Sequence, residues 1–175
     1  MWQKKGTPLN EFNTHPRSHF VGGSIMVWSC IGYNGVGLVT RFNENINASL
    51  YKEVLEDEMM SSVTRCVDDT GLWYFQQDNA PCHTARSIKT WFQENGISVM
   101  EWPTNSPDLN PIGNLWDLVK SKTYKKGPFH NLDSLWDTFC HEWYVLDSSI
   151  CVPLIESINN RMKEVIKAKG GPTNY

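Results

Sequence analysis

Apolar residues along this chain change their period several times, and each change marks an element. Ile25-Met26-Val27-Trp28 opens an apolar stretch from Ser24 to Ile31, too short for a helix and rich in strand formers. Gly32-Tyr33-Asn34-Gly35 supplies turn residues, and Val36 to Phe42 reads as the return strand, so the pattern predicts a β-hairpin. From Asn47 to Arg65 the period becomes helical, with Leu50, Tyr51, Val54, Leu55, Met59 and Val63 on one side and acids on the other. Leu72-Trp73-Tyr74-Phe75 is a continuous apolar run bounded by Gly71 and Gln76-Gln77-Asp78, which suits a central strand buried on both faces. A helix from Thr84 to Asn95 buries Ile88, Trp91 and Phe92 and stops at Gly96. Ile97 to Trp102 is a further short strand.

Three prolines between Pro103 and Pro111 demand a shaped loop. Asn110 is a good N-cap and Pro111 suits the first position of the helix that follows. In that helix Ile112, Leu115, Trp116 and Val119 form one apolar stripe, while Gly113, Asp117 and Lys120 share another face. Leu132, Leu135, Trp136, Phe139 and Trp143 line a second helix, and Leu154, Ile155, Ile158, Met162 and Ile166 a last one, ended by Gly170-Gly171-Pro172. Residues 1–23 are polar and punctuated by Gly6, Pro8, Pro16, Gly22 and Gly23, so they read as an irregular arm preceding one domain over residues 24–175.

Length and composition fit that picture. A chain of 175 residues, 40% hydrophobic and 20% charged, is long enough to bury one proper core. Eight tryptophans point to an aromatic-rich core. No run reaches membrane-spanning length, and the start lacks the apolar stretch of a signal peptide. Five cysteines without a CxxC pair argue against a zinc ribbon or finger and for a reducing compartment. With a net charge of −3, the molecule as a whole does not attract nucleic acid, so any DNA contact must come from local patches. Lys120, Lys122, Lys125 and Lys126 form one such patch; Arg161, Lys163, Lys167 and Lys169 form another. A solvated helix face explains either patch as well as phosphate binding does.

The chemistry centres on Asp78, an acid placed directly after the apolar run Leu72–Phe75. Ligands of open α/β sheets gather at the carboxyl ends of strands, although a turn residue capping Asn79-Ala80-Pro81 is an equally simple reading from position alone. The local sequence adds more. Gln76-Gln77-Asp78-Asn79-Ala80-Pro81-Cys82-His83-Thr84-Ala85 resembles the segment around the second catalytic aspartate of mariner-superfamily DNA transposases, on the Tc branch. Ser106-Pro107-Asp108-Leu109-Asn110-Pro111-Ile112-Gly113-Asn114-Leu115-Trp116 is similar to that family's block leading into its third catalytic acid. Gly23-Ser24-Ile25-Met26-Val27-Trp28 and Val165-Ile166-Lys167-Ala168-Lys169-Gly170-Gly171-Pro172-Thr173 also look like family segments.

The resemblance implies a ribonuclease-H-like α/β fold, a mixed sheet flanked by helices. It also implies a site in which two aspartates and a glutamate hold two Mg²⁺ or Mn²⁺ ions. Two hard cations roughly 4 Å apart stabilise charge on the attacking and leaving oxygens of a phosphodiester, which is why such a site is built from carboxylates. The family reaction is metal-dependent DNA cleavage and strand transfer in transposition, with transposon ends as substrate, and it implies a nuclear location. Homo-oligomers or pairing with intact transposase are the implied protein partners.

Two departures stand against catalysis. With 34 residues between Asp78 and the third-acid position, the Tc interval falls on Gly113, which has no side chain to bind metal. The family's first aspartate lies on a strand upstream of the matched region. The chain therefore reads as truncated at its front, lacking the first, central strand and the upstream DNA-binding region. Asp117 lies one turn beyond Gly113, displaced about 6 Å along the axis, too far to substitute. Asp108 reads as a turn or cap residue. Asn79 and His83 read as local hydrogen-bonding groups beside Asp78, or as groups that order water or phosphate there. The expectation is a catalytically dead transposase domain. The alternative class is a non-catalytic DNA-binding or protein-interaction remnant, and a generic polynucleotide hydrolase fails for want of the same carboxylates.

Overall fold

A computed structural model describes residues 24–67, 71–171 and 173; the expected arm at 1–23 lies outside the described residues. Strands β1 (Met26–Gly32) and β2 (Gly35–Phe42) pair antiparallel, as the hydrophobic pattern predicts. The register shifts between Ser29 and Ile31, where Gly37 and Leu38 of β2 oppose the single residue Cys30 of β1. Gly35 takes φ +136° in the turn, a conformation that side-chain-bearing residues rarely adopt.

The helical stretch begins at Asn47, whose side chain accepts from the Ser49 and Leu50 amides. It runs as α1 (Ala48–Val54), a π turn over Leu55–Met59, and α2 (Met60–Cys66). Tyr51, Leu55 and Met59 are spaced by four, a step that drifts about 40° around an ordinary α-helix. The wider π turn absorbs that drift and keeps all three buried. Helix α2 packs so tightly on the hairpin that only glycine fits at two positions. A Cβ on Gly32 would lie 2.2 Å from the Cys66 carbonyl oxygen, and one on Gly37 2.7 Å from Ser62 Oγ.

Past Gly71 the structure departs from expectation. Leu72–Phe75 and Ile97–Trp102, both expected as strands, are reduced to one parallel bridge between Phe75 and Val99. Phe75 is buried, but Leu72 is 86% and Tyr74 70% exposed, so the run is not covered on both faces. The physical reason is a missing neighbour. Phe75 spends both its main-chain groups on Ser98 and Met100, while among the described residues no strand continues the ladder on the opposite edge.

The expected helix at 84–95 forms as a single turn, α3 (Pro81–Thr84), followed by α4 (Arg86–Glu94). It buries Ile88, Trp91 and Phe92 and ends at Gly96 with φ +65°. After the proline loop come α5 (Ile112–Tyr124) and α6 (Leu132–Tyr144). Leu132, expected in the stripe of α6, is 40% exposed. The last expected helix is two, α7 (Cys151–Glu156) and α8 (Ile158–Lys167). Ile166, near the end of α8, stays 76% exposed because that end extends past the elements it packs on.

The core is consequently divided. One cluster joins Val36 and Val39 of the hairpin to Leu115, Val119, Phe139 and Trp143. Its tryptophans stack, Trp116 on Trp143 at 4.7 Å between centroids, and the Trp143 indole N–H donates to the Gly37 carbonyl at 2.9 Å. The second cluster joins Tyr51, Leu55 and Met59 to Phe75, Ile88, Trp91 and Phe92.

Candidate active-site cleft

Asp78 sits just beyond the bridged residue Phe75, at the carboxyl end of that segment. Its Oδ1 accepts from the Ala80 amide at 2.9 Å and pairs with His83 Nδ1 at 2.7 Å. The first contact is an Asx-type turn leading into α3 at Pro81, which cannot donate and is suited to a helix start. His83 is itself held. Its ring lies 4.1 Å from that of Tyr51, whose hydroxyl donates to Gln77 Oε1 at 2.6 Å, while Gln77 Nε2 donates to the His83 carbonyl at 3.3 Å. Burial pushes the Tyr51 phenol far above its ordinary pKa, so it stays a neutral donor. The Asp78 side chain remains 64% exposed, with its Oδ1 committed to these two contacts.

Asn79 ties this loop to the next by donating to the Trp102 carbonyl at 2.7 Å. Between the two loops and the start of α5 lies a cleft of about 490 Å³, lined by Asp78, Asn79, Trp102, Asn110, Gly113 and Trp116 among others. Asp78 and Gly113 therefore face the same concavity, although 34 residues separate them. Asn110 Oδ1 accepts from the Ile112 amide at 3.2 Å, but the cap of α5 falls one residue later than expected, on Pro111, which brings no side-chain capping bond. A Cβ built on Gly113 meets nothing within 4 Å, so the position opens to the cleft and has room for a longer side chain.

The remaining acids serve elsewhere. Asp117 is 85% exposed and lies 3.9 Å from Lys120. Asp108 is a clasp: its Oδ2 accepts from both the amide and the hydroxyl of Thr173, at 2.9 and 2.8 Å. Among the described residues, no three His, Cys, Asp or Glu side chains converge as a metal cage. One carboxylate is too few to hold and neutralise a pair of divalent ions, so the described residues do not fit the two-metal set.

The basic patches need correction. Arg161 belongs to no solvated face: it is 2% exposed and donates to Ser157 Oγ, the Asp108 carbonyl and Asn114 Oδ1. Packing of α8 against the proline loop buried it, and five donors in a rigid fork allow one guanidinium to satisfy three acceptors. In the other patch, Lys126 pairs with the nearly buried Glu142 and Lys120 lies against Asp117, while Lys122 and Lys125 have no carboxylate within ion-pair range among the described residues. The clamp of Tyr51 and Gln77 around His83, and the anchoring of Asn114 by Arg161, were not legible in the sequence. Tyr51 showed only as a core position of a helix, and a salt-like residue on an amphipathic helix reads as surface.

The DDE superfamily endonuclease model matches residues 1–136. The transposable element Tcb2 transposase of Caenorhabditis briggsae is 33% identical over 154 residues, covering 88% of this chain and 55% of its own length. The Tc3 transposase of Caenorhabditis elegans is 30% identical over 160 residues, covering 91% and 48%. The chain thus spans about half the length of these relatives. Among solved structures, the Mos1 transposase catalytic domain with raltegravir and Mg superposes with a TM-score of 0.75 at 19% identity, covering 86% of this chain and 77% of that one. The Mos1 mariner paired end complex with Mn gives 0.79 at 19% identity, covering 99% and 51%. Likeness at that level establishes the ribonuclease-H-like fold, of which the described residues form a two-stranded antiparallel sheet, one parallel bridge and the helices around them. With the family model spanning most of the chain and relatives at 30% identity or more along nearly all of it, this protein belongs to the DDE superfamily endonuclease family, as a Tc/mariner-type domain.

Proposed function

We propose that this chain is a transposase-derived domain whose ancestral reaction is metal-dependent cleavage and strand transfer of transposon ends in the nucleus, and that Gly113 has silenced its metal site. The observation that carries this reading is the shared cleft. Asp78 is held in place by Ala80 and His83, while the facing position offers open space where a second carboxylate would fit. A preformed half-site opposite a vacancy of side-chain size is what a lost ligand leaves behind.

The test is a titration of Mg²⁺ and Mn²⁺ watched at the Asp78 carboxyl by NMR, with Gly113→Glu alongside. The unmodified chain is expected to show no saturable shift and no metal-dependent nicking of supercoiled DNA. Gly113→Glu is expected to gain a saturable shift at Asp78. Metal-dependent nicking by the unmodified chain would sink the proposal.

A second reading, weak DNA binding without catalysis, is favoured by Lys122 and Lys125, which project beside exposed Tyr124 without carboxylate partners in ion-pair range. Two phosphate contacts correspond to a log–log salt slope of about −2. A salt-independent interaction, or none at low salt, removes this reading.

A further inference from the structure

Helix α2 brings two thiols together against the hairpin. Cys30 stands in β1 and Cys66 is the last residue of α2, with 35 residues between them. Ser62 and Cys66, four apart on α2, share the helix face that meets the sheet, and both are buried. Cys30 and Gly32, two apart on β1, share the sheet face that meets them. Two glycines make the space. The Cβ position of Gly37, which opposes Cys30, lies 2.6 Å from Cys30 Sγ, and that of Gly32 lies 2.7 Å from Cys66 Cβ. A side chain at either place would fill the volume that the pair occupies. The end of α2 is fixed as well: Asn34 donates its amide to the Cys66 carbonyl at 3.1 Å and its Nδ2 to the Val67 carbonyl at 3.0 Å.

The two thiols are in hydrogen-bond contact, with Cys66 donating to Cys30. Ser62 lies beside Cys30 but gives its one hydroxyl proton to the Glu58 carbonyl at 2.6 Å, so the Cys66 S–H is the donor that counts. That bond holds the Cys30 thiol below its ordinary pKa, against the opposing effect of burial. It raises the Cys66 thiol, and burial raises it further. The roles are thus unequal: Cys30 is half-buried and the readier thiolate, whereas Cys66 is buried and stays protonated. Cys151 is a third thiol in this region, close enough to Cys66 to interact electrostatically with it. Fully buried and pushed up by that burial to about 11, it is a poor nucleophile.

We propose that Cys30 and Cys66 are a redox pair that hydrogen peroxide converts to an internal disulfide, clamping the end of α2 to β1. The Cys30 thiolate attacks one peroxide oxygen: an S–O bond forms, the O–O bond breaks, and the departing hydroxide takes up a proton and leaves as water. Cys66 then attacks the sulfenic sulfur of Cys30. The S–S bond forms as the S–O bond breaks, and the second hydroxide leaves as water with the Cys66 proton. The pair is oxidised by two electrons and the peroxide is reduced to two waters. In a reducing compartment the resting form is the dithiol, and such bonds form transiently under oxidant. The disulfide closes a 35-residue loop, which restricts the unfolded chain, and it joins sulfurs that already touch in the folded one. This inference needs neither a metal nor DNA, so it stands or falls apart from the reading of Gly113.

The experiment treats the full chain with a small excess of hydrogen peroxide, blocks the remaining thiols with iodoacetamide, and maps disulfides by mass spectrometry. The Cys30–Cys66 link is expected to dominate, to be reversed by dithiothreitol, and to raise the melting temperature by about 5 °C or more. The same chain unfolded in urea before oxidation is expected to lose that preference and to give mixed pairings among its five cysteines. Cys151→Ser is expected to keep both the link and the thermal shift, and Cys30→Ser to lose both. The unmodified chain decides the matter even where a variant fails to fold. Absence of a Cys30–Cys66 link in the native chain, a dominant Cys66–Cys151 link, or a Cys30–Cys66 link formed equally well in urea overturns the proposal. So does a melting temperature left unchanged by the link, or a thermal shift retained by a folded Cys30→Ser.

Discussion

The hairpin β1–β2 and the pair Leu72–Phe75 with Ile97–Trp102 have equally strand-like sequences, yet only the first forms a ladder. The hairpin is local. A short turn with Gly35 at positive φ closes it, α2, α6 and α7 pack on it, and Trp143 locks it by donating to Gly37. The second pair is parallel, is joined by a whole helix, and has a neighbour on one side of Phe75 only. Strand propensity is mostly fitness for a half-buried pleated surface, so it expresses itself where neighbours exist and lapses where they do not.

The strongest way to break that contrast is at the lock of the hairpin. Trp143→Ala removes a fully buried indole and its hydrogen bond, and denaturant unfolding is expected to show a loss of about 4 kcal/mol. A loss below about 1 kcal/mol would mean that the first cluster does not hold the hairpin. Next comes the close approach of α2. Gly32→Ala places a methyl 2.2 Å from the main-chain oxygen of Cys66, which a side-chain rotation cannot relieve, and about 1–3 kcal/mol is expected to be lost.

On the other side of the comparison, Leu72→Ala is expected to change stability by no more than about 0.5 kcal/mol, because its side chain already lies in solvent. A core-sized loss would show that the run is covered after all. At the cleft, Gly113→Glu replaces the poorest non-proline helix former with an acid in the first turn, where the helix dipole favours it. A gain of roughly 0.5–1 kcal/mol is expected in thermal unfolding. Destabilisation would contradict the open space at that position.

The smallest effect concerns acid. The Thr173 hydroxyl, then its amide, hold the Asp108 carboxyl below the ordinary aspartate pKa, with Arg161 adding to the effect. A carboxylate whose folded pKa is depressed contributes stability above its unfolded value and loses it as pH falls through the folded one. Thr173→Val keeps the amide and removes the hydroxyl, so the Asp108 midpoint in a carbon-detected NMR titration is expected to move upward. An unmoved midpoint would assign the shift to the other groups.

Much of this was legible in the chain itself. Turn glycines and an alternating run specify the hairpin; four-residue spacing and Asn47 specify the long first helix; Asn110 and Pro111 specify where α5 begins. These are local properties, carried by a few neighbouring residues and their torsions, and they survive whatever surrounds them. The motif around Asp78 and the interval to Gly113 likewise pointed to one site before any coordinates.

Only the tertiary structure decided three other matters. It buried Arg161 beneath the proline loop, because a guanidinium's fate depends on which acceptors arrive beside it. It surrounded Asp78 with His83, Tyr51 and Gln77, drawn from two distant segments. And it left Leu72 and Tyr74 uncovered, with the core in two parts, because whether an apolar run is covered depends on which elements pack over it, and residue pattern alone cannot supply them.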